Sequence, residues 1–233
     1  MDSNTALETG DTPCTPQSFA HSLIVTFIVG PEKYAYTAHK AVVINKCPFV
    51  AKCLAVGMIE STTHTINLPE DSPAAFDHFI SWIYHGEVIE IEQDNTDKLL
   101  TVLKAWVLAD KLCMPAWQNR LIDSAMTYLT KHVIEPSIVS WGTDHLSNES
   151  LLFDLIMDQF AWDVARTGSK YTDVELELLV AKPEFATVRL LRQSNLMKVD
   201  RAEESRATEP ARDRGRYRVA EEEQTCKPGT EMK

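Results

Sequence analysis

The stretch Ala38-His39-Lys40-Ala41-Val42-Val43-Ile44 decides the fold, read together with Ser22-Leu23-Ile24-Val25-Thr26-Phe27-Ile28-Val29-Gly30 before it and Gly57-Met58-Ile59-Glu60-Ser61 after it. The first flank is a short β-branched run that stops at a turn signal, Gly30-Pro31, as a strand does. From His39 to Asn45 the pattern becomes helical. Across the whole span Ser22 to Leu129, apolar periodicity and turn residues account for almost every position. Little is left over for chemistry, which points to a chain that binds rather than one that catalyses.

Working outward, Leu23–Val29 and Lys33–Thr37 read as two antiparallel strands joined at Gly30-Pro31-Glu32. Pro48 opens a second short helix, because its missing N–H costs nothing in a first turn, and Gly57 ends it. Thr63 to Leu68 alternates as a third strand. Ser72 and Pro73 then supply an N-cap and a first residue for a helix whose stripe is Phe76, Phe79, Ile80, Ile83 and Tyr84, ended by Gly86. Val88 to Ile91 reads as a short edge strand, and Asp97 to Leu112 as a long apolar helix. Pro115 separates that helix from another bearing Trp117, Leu121, Ala125 and Tyr128 on one face.

Beyond Pro136 the chain stays helical, with a stripe of Leu152, Leu155, Ile156 and Phe160. Thr172-Asp173-Val174-Glu175 has capping-box spacing, and Pro183 precedes a helix through Phe185, Val188 and Leu191. Residues 1–20, rich in Thr, Ser, Pro and Asp, are expected to be disordered. The same is expected of 198–233, where large apolar residues nearly vanish. No internal repeat is present.

Charge narrows the function classes. The net charge is −11, from 23 basic and 34 acidic groups. Residues 198–233 hold nine of each, which leaves 14 basic and 25 acidic groups in 1–197. An acidic body disfavours general nucleic-acid binding and suits a basic protein partner. No run of about 18 apolar residues occurs, so no membrane helix is expected. The polar N-terminus lacks the pattern of a signal peptide, and an intracellular location, cytoplasm or nucleus, is expected. Cys14, Cys47, Cys53, Cys113 and Cys226 show no C-x-x-C spacing. Cys47, Cys53 and Cys113 read as small buried residues in a reducing compartment, and no zinc site is expected.

An enzyme is not expected. No G-x-S-x-G, P-loop or G-x-G-x-x-G is present, and the seven histidines are scattered. Neither a metal nor a cofactor nor a small-molecule substrate is implied. Asp154 and Asp158 share a helix face and read as solvated carboxylates. Arg212, Arg214, Arg216 and Arg218 around Tyr217 have the composition of a nucleic-acid contact, but Glu221-Glu222-Glu223 follows at once and offsets it. The reading is a mixed-charge tail.

The order strand–strand–helix–helix–strand–helix–helix–helix resembles the BTB/POZ domain. The segments quoted above carry the likeness, with Pro48-Phe49-Val50, Ile66-Asn67-Leu68-Pro69-Glu70-Asp71, Phe76-Asp77-His78-Phe79-Ile80-Ser81-Trp82-Ile83-Tyr84-His85-Gly86 and Leu108-Ala109-Asp110-Lys111-Leu112-Cys113-Met114-Pro115. The resemblance implies an α+β fold, a small sheet flanked by a helical cluster, over 21–130. A helical extension over 131–197 is similar to the C-terminal part of short BTB proteins of filamentous fungi, carried by Leu152 to Trp162.

It further implies a protein-interaction adaptor or scaffold, with cullin-3 and a second copy of the chain among the candidate partners. In cullin-binding members a hydrophobic–x–Glu motif follows the second short helix, and Met58-Ile59-Glu60 fits it. Met58, Glu60 and Phe49 are the candidate partner-binding residues, a substrate-recruiting subunit of a cullin-3 ubiquitin ligase being the function they suggest. The alternative is a transcription or chromatin-associated regulator using the Arg-rich tail. One departure bears on this. Many family members carry Asp after the serine matching Ser22, paired with the lysine matching Lys40, and Leu23 stands there instead. The charged pocket is lost, and Lys40 reads as a snorkelling surface residue.

Overall fold

In the computed structural model, the residues described are 22–55, 57–88, 90–91, 95–166, 171–172, 174 and 209–221. Three strands, β1 (Ile24–Val29), β2 (Tyr34–His39) and β3 (Thr65–Leu68), form one sheet in the order β2-β1-β3. β1 pairs antiparallel with β2, from Ile24 opposite His39 to Val29 opposite Tyr34. It pairs parallel with β3, from Thr26 beside Thr65 to Val29 beside Leu68. Period-2 alternation puts Val25, Phe27 and Val29 wholly inside, so one sheet face is core. Gly30 makes the turn. Its φ of +74° is left-handed, and a Cβ there would lie 3.3 Å from the Pro73 ring.

Eight α-helices are present among the described residues: α1 (Lys40–Lys46), α2 (Pro48–Cys53), α3 (Ile59–Thr63), α4 (Pro73–His85), α5 (Thr96–Lys111), α6 (Pro115–Leu129), α7 (Pro136–His145) and α8 (Leu151–Arg166). This is the α+β fold expected from the sequence, a small sheet against a helical cluster. Aromatic packing joins the layers. Phe27 of β1 lies 5.1 Å from Phe76, Phe76 lies 5.0 Å from Phe79, and Phe79 lies 5.8 Å from Trp117. Ring pairs of this kind are worth roughly 0.5–1.5 kcal/mol beyond their burial.

His39 and Ser22 organise the start of α1. Ser22 Oγ accepts from the Ala41 N–H at 3.0 Å, and the Lys40 N–H donates to the Leu23 carbonyl at 2.7 Å. The Tyr84 hydroxyl accepts from the His39 N–H at 3.0 Å and sits 2.7 Å from His39 Nδ1. These contacts take Tyr84 out of the buried stripe, where the sequence pattern placed it, and leave it 37% exposed.

Several local expectations are corrected. Val88, Glu90 and Ile91 lie in no strand. The short helix α3 was not anticipated, and it delays the third strand. His64 adopts left-handed geometry at φ 50° and closes α3 through its N–H to the Glu60 carbonyl, so β3 begins at Thr65 rather than Thr63. Ser72 occupies the N-cap position of α4 without a side-chain capping bond, whereas Asn95 caps α5 by accepting from the Lys98 N–H at 2.9 Å. Cys47 is buried as expected, but Cys113 is disulfide-bonded rather than a small buried thiol. The helix read after Pro183 lies outside the described residues, as does the capping box apart from Thr172 and Val174.

The largest correction concerns the segment read as a disordered tail over 198–233. Residues 209–221 run as a strap along α6 and α8, opened by a 3-10 turn at Pro210–Arg212. Tyr217 is fully buried, and its hydroxyl donates to Asp158 Oδ2 at 2.9 Å. Arg216 pairs with the same oxygen at 2.8 Å. Asp158 is 6% exposed and is therefore no solvated carboxylate. The pattern is invisible to a composition argument, because one tyrosine and a row of paired charges replace a hydrophobic stripe.

Candidate partner-binding surface

The sequence motif Met58-Ile59-Glu60 spans the entry to α3. Gly57, at φ 101° with open space around it, lets the chain leave α2 and turn. The Met58 N–H donates to the Ala55 carbonyl at 3.3 Å. The Met58 carbonyl accepts from the Ser61 N–H at 3.1 Å and the Ser61 hydroxyl at 2.6 Å. Thr63 Oγ1 donates to the Ile59 carbonyl at 3.3 Å. Local bonds thus fix the backbone while the two apolar side chains project outward.

Met58 is 53% exposed and Ile59 75% exposed. Glu60 is half-buried, and its charge lies close enough to Cys53 to add to the effect of burial in raising that thiol. Phe49, on α2, is half-buried and packs against the core. Of the three residues named from sequence, Met58 therefore offers an apolar surface, Glu60 a charged edge and Phe49 mainly support. The most exposed apolar residue of the motif is Ile59, which a hydrophobic–x–Glu reading treats as filler. Its signal was available: a large β-branched side chain in a short segment with no apolar periodicity to bury it.

The residues singled out as possible chemistry are placed elsewhere. His39 is engaged by Tyr84 through hydrogen bonding and an edge contact, with ring centroids 6.0 Å apart. Lys40 is half-exposed at the start of α1. Among the described residues no group of three or more His, Cys, Asp or Glu is placed to hold a metal ion. No helix among them is long and apolar enough to cross a membrane.

The α+β scaffold thus sets an exposed apolar pair, Met58 and Ile59, beside a half-buried carboxylate. Residues 19–123 match the family model of the BTB/POZ domain, so the chain carries a BTB/POZ domain, a protein-interaction module, over that stretch. No curated protein matches the chain.

Proposed function

We propose that the protein is an interaction adaptor whose partner contact centres on Met58, Ile59 and Glu60, and that the N-terminal domain of cullin-3 is the partner. The supporting observation is the adjacent exposure of Met58 and Ile59 on a backbone fixed by its own hydrogen bonds. A flexible thioether and a branched side chain suit an apolar pocket, and a neighbouring carboxylate suits a polar rim. In this reading the chain recruits a substrate to a ubiquitin ligase from the cytoplasm or the nucleus. Leu23 and Ile24, 58% and 46% exposed at the start of β1, are the proposed place for a second copy.

The alternative, a nucleic-acid-associated regulator working through the Arg-rich segment, is not favoured. Base stacking needs an accessible ring, and Tyr217 is buried. Arg214, Arg216 and Arg218 reach Thr127, Asp158 and Asp123.

Calorimetric titration of the full chain with purified cullin-3 N-terminal domain tests the proposal. Met58→Asp and Ile59→Asp are each expected to weaken binding by about 2 kcal/mol or more, the scale of an interface hot spot. Both positions are exposed, so stability should stay within about 0.5 kcal/mol of the parent. Absence of binding at tens of micromolar removes cullin-3 as the partner.

A further inference from the structure

We propose that the α6–α8 face is a peptide-reading groove, with residues 209–221 as its resident occupant. The ligand class is a turn-containing protein segment carrying a tyrosine between two arginines. This inference is independent of the surface at Met58 and Ile59.

The groove is built from polar side chains that face peptide rather than water. Asn119, on α6, is 2% exposed. Its Nδ2 donates to the Val219 carbonyl at 3.0 Å, and its Oδ1 accepts from the Val219 N–H at 2.9 Å. One side-chain amide thereby pairs with both backbone polar groups of one residue. Gln159, on α8, is fully buried, and its Oε1 accepts from the Ala211 N–H at 3.0 Å. Its Nε2 donates to Asp163 Oδ1 at 3.0 Å, and Asp163 Oδ2 accepts from the Ile134 N–H at 2.9 Å, which fixes the amide's orientation. Asp158 supplies the third element, a buried carboxylate that takes the Tyr217 hydroxyl and Arg216 together.

Backbone reading, one buried aromatic anchor and flanking charge pairs are the recurring logic of short-segment recognition. The strap anchors Ala211 and Tyr217 in the hydrophobic core and leaves most of its length in solvent, the profile of an anchored ligand. Only Pro210, Ala211 and Tyr217 are buried, while Arg212 to Arg216 and Arg218 are exposed. Arg218 pairs with Asp123 at 2.5 Å, and Arg214 donates to Thr127 at 2.9 Å. Side-chain hydrogen bonds thus connect the strap to the groove over 52 to 102 residues of sequence. The charge sense matches the rest of the chain, since residues 1–197 carry 25 acidic against 14 basic groups. An occupant joined covalently to its groove binds intramolecularly, which protects it from competitors.

Cutting the tether separates a ligand from a core element. The full chain, with one protease site inserted between Lys198 and Val199, is cleaved under reducing conditions and mixed with a fluorescein-labelled synthetic peptide of residues 209–221. The expected result is that the cleaved protein stays folded and the peptide exchanges into the groove, read as rising anisotropy with a micromolar midpoint. Peptides carrying Tyr217→Ala, or Arg216→Ala with Arg218→Ala, are expected to bind at least about tenfold more weakly, the loss of a buried anchor or its charge partners. Placing the substitutions on the ligand leaves the folding of the protein untouched. Unfolding on cleavage, no binding at 100 μM (about −5.5 kcal/mol), or equal binding by the substituted peptides would each overturn the proposal.

Discussion

The Asn119 side chain pairs with both backbone polar groups of Val219, donating to its carbonyl at 3.0 Å through Nδ2 and accepting from its N–H at 2.9 Å through Oδ1. This is what a neighbouring strand would supply, delivered by one helical side chain. Removing it strands a donor and an acceptor on the strap, and an unmet polar group costs about 1–3 kcal/mol. Asn119→Leu, close in volume, is therefore expected to speed hydrogen exchange of the Val219 amide by roughly thirtyfold, equivalent to about 2 kcal/mol. Amides of Phe27 and Ile28 in the sheet should keep their protection. Unchanged exchange at Val219 would show that the two bonds contribute nothing.

The turn at Gly30 yields a second expectation. Its φ of +74° disfavours any residue with a Cβ, and the space there ends at Pro73, 3.3 Å away. Gly30→Ala is expected to destabilise the protein by about 1–2 kcal/mol, the cost of left-handed geometry for an L-residue. The urea midpoint should fall with an unchanged slope. A variant as stable as the parent would mean that the β1–β2 turn relaxes freely.

Where periodicity is strong, the fold was legible. The pattern in Phe76, Phe79 and Ile83 leaves only one way to bury α4, and the alternation of Val25, Phe27 and Val29 fixes the inward face of β1. Legibility failed where structure comes from partners distant in sequence. Tyr84 fits the α4 stripe by spacing, yet its hydroxyl finds His39, 45 residues away. The strap carries no apolar period at all, because its energy comes from Asn119, Asp158 and Gln159, which sequence spacing cannot pair with it. At the candidate surface, Met58 and Glu60 are candidates by resemblance, while Ile59, marked in sequence only by a β-branched side chain outside any apolar period, stands out once its exposure in the folded chain is known.

The cysteines form a graded series. Burial pushes the Cys47 thiol up to about 12, and its sulfur contacts the Leu112 carbonyl oxygen at 3.6 Å. Burial, with the nearby Glu60 charge, also raises Cys53, which is half-buried. Alkylation requires thiolate and access. In the folded, unreduced protein, iodoacetamide is expected to label Cys53 slowly, Cys47 only after unfolding and Cys113 only after reduction. Glu60→Gln should lower the Cys53 thiol and speed its labelling. Peptide mass mapping reads all of these outcomes, and labelling of Cys113 without reductant would contradict its disulfide.

His78 gives the stability curve a pH dependence whose sign follows from its environment. Burial lowers its pKa below the usual histidine value, and the neighbouring Asp77 carboxylate offsets only part of that. Its Nδ1 is buried without a hydrogen-bond partner, so the charged ring gains no acceptor there. The folded state therefore binds the proton less well than the unfolded chain does. Stability from this group is fully present above the unfolded value, about 6.5, and is lost as pH falls through the folded value. Urea denaturation of the parent is expected to show a decline from pH 7.5 to pH 5 that is steeper than in His78→Gln, which cannot titrate. Other carboxylates and histidines are common to both proteins, so the difference between the two curves isolates His78. Parallel curves would show that the ring charges in place without penalty.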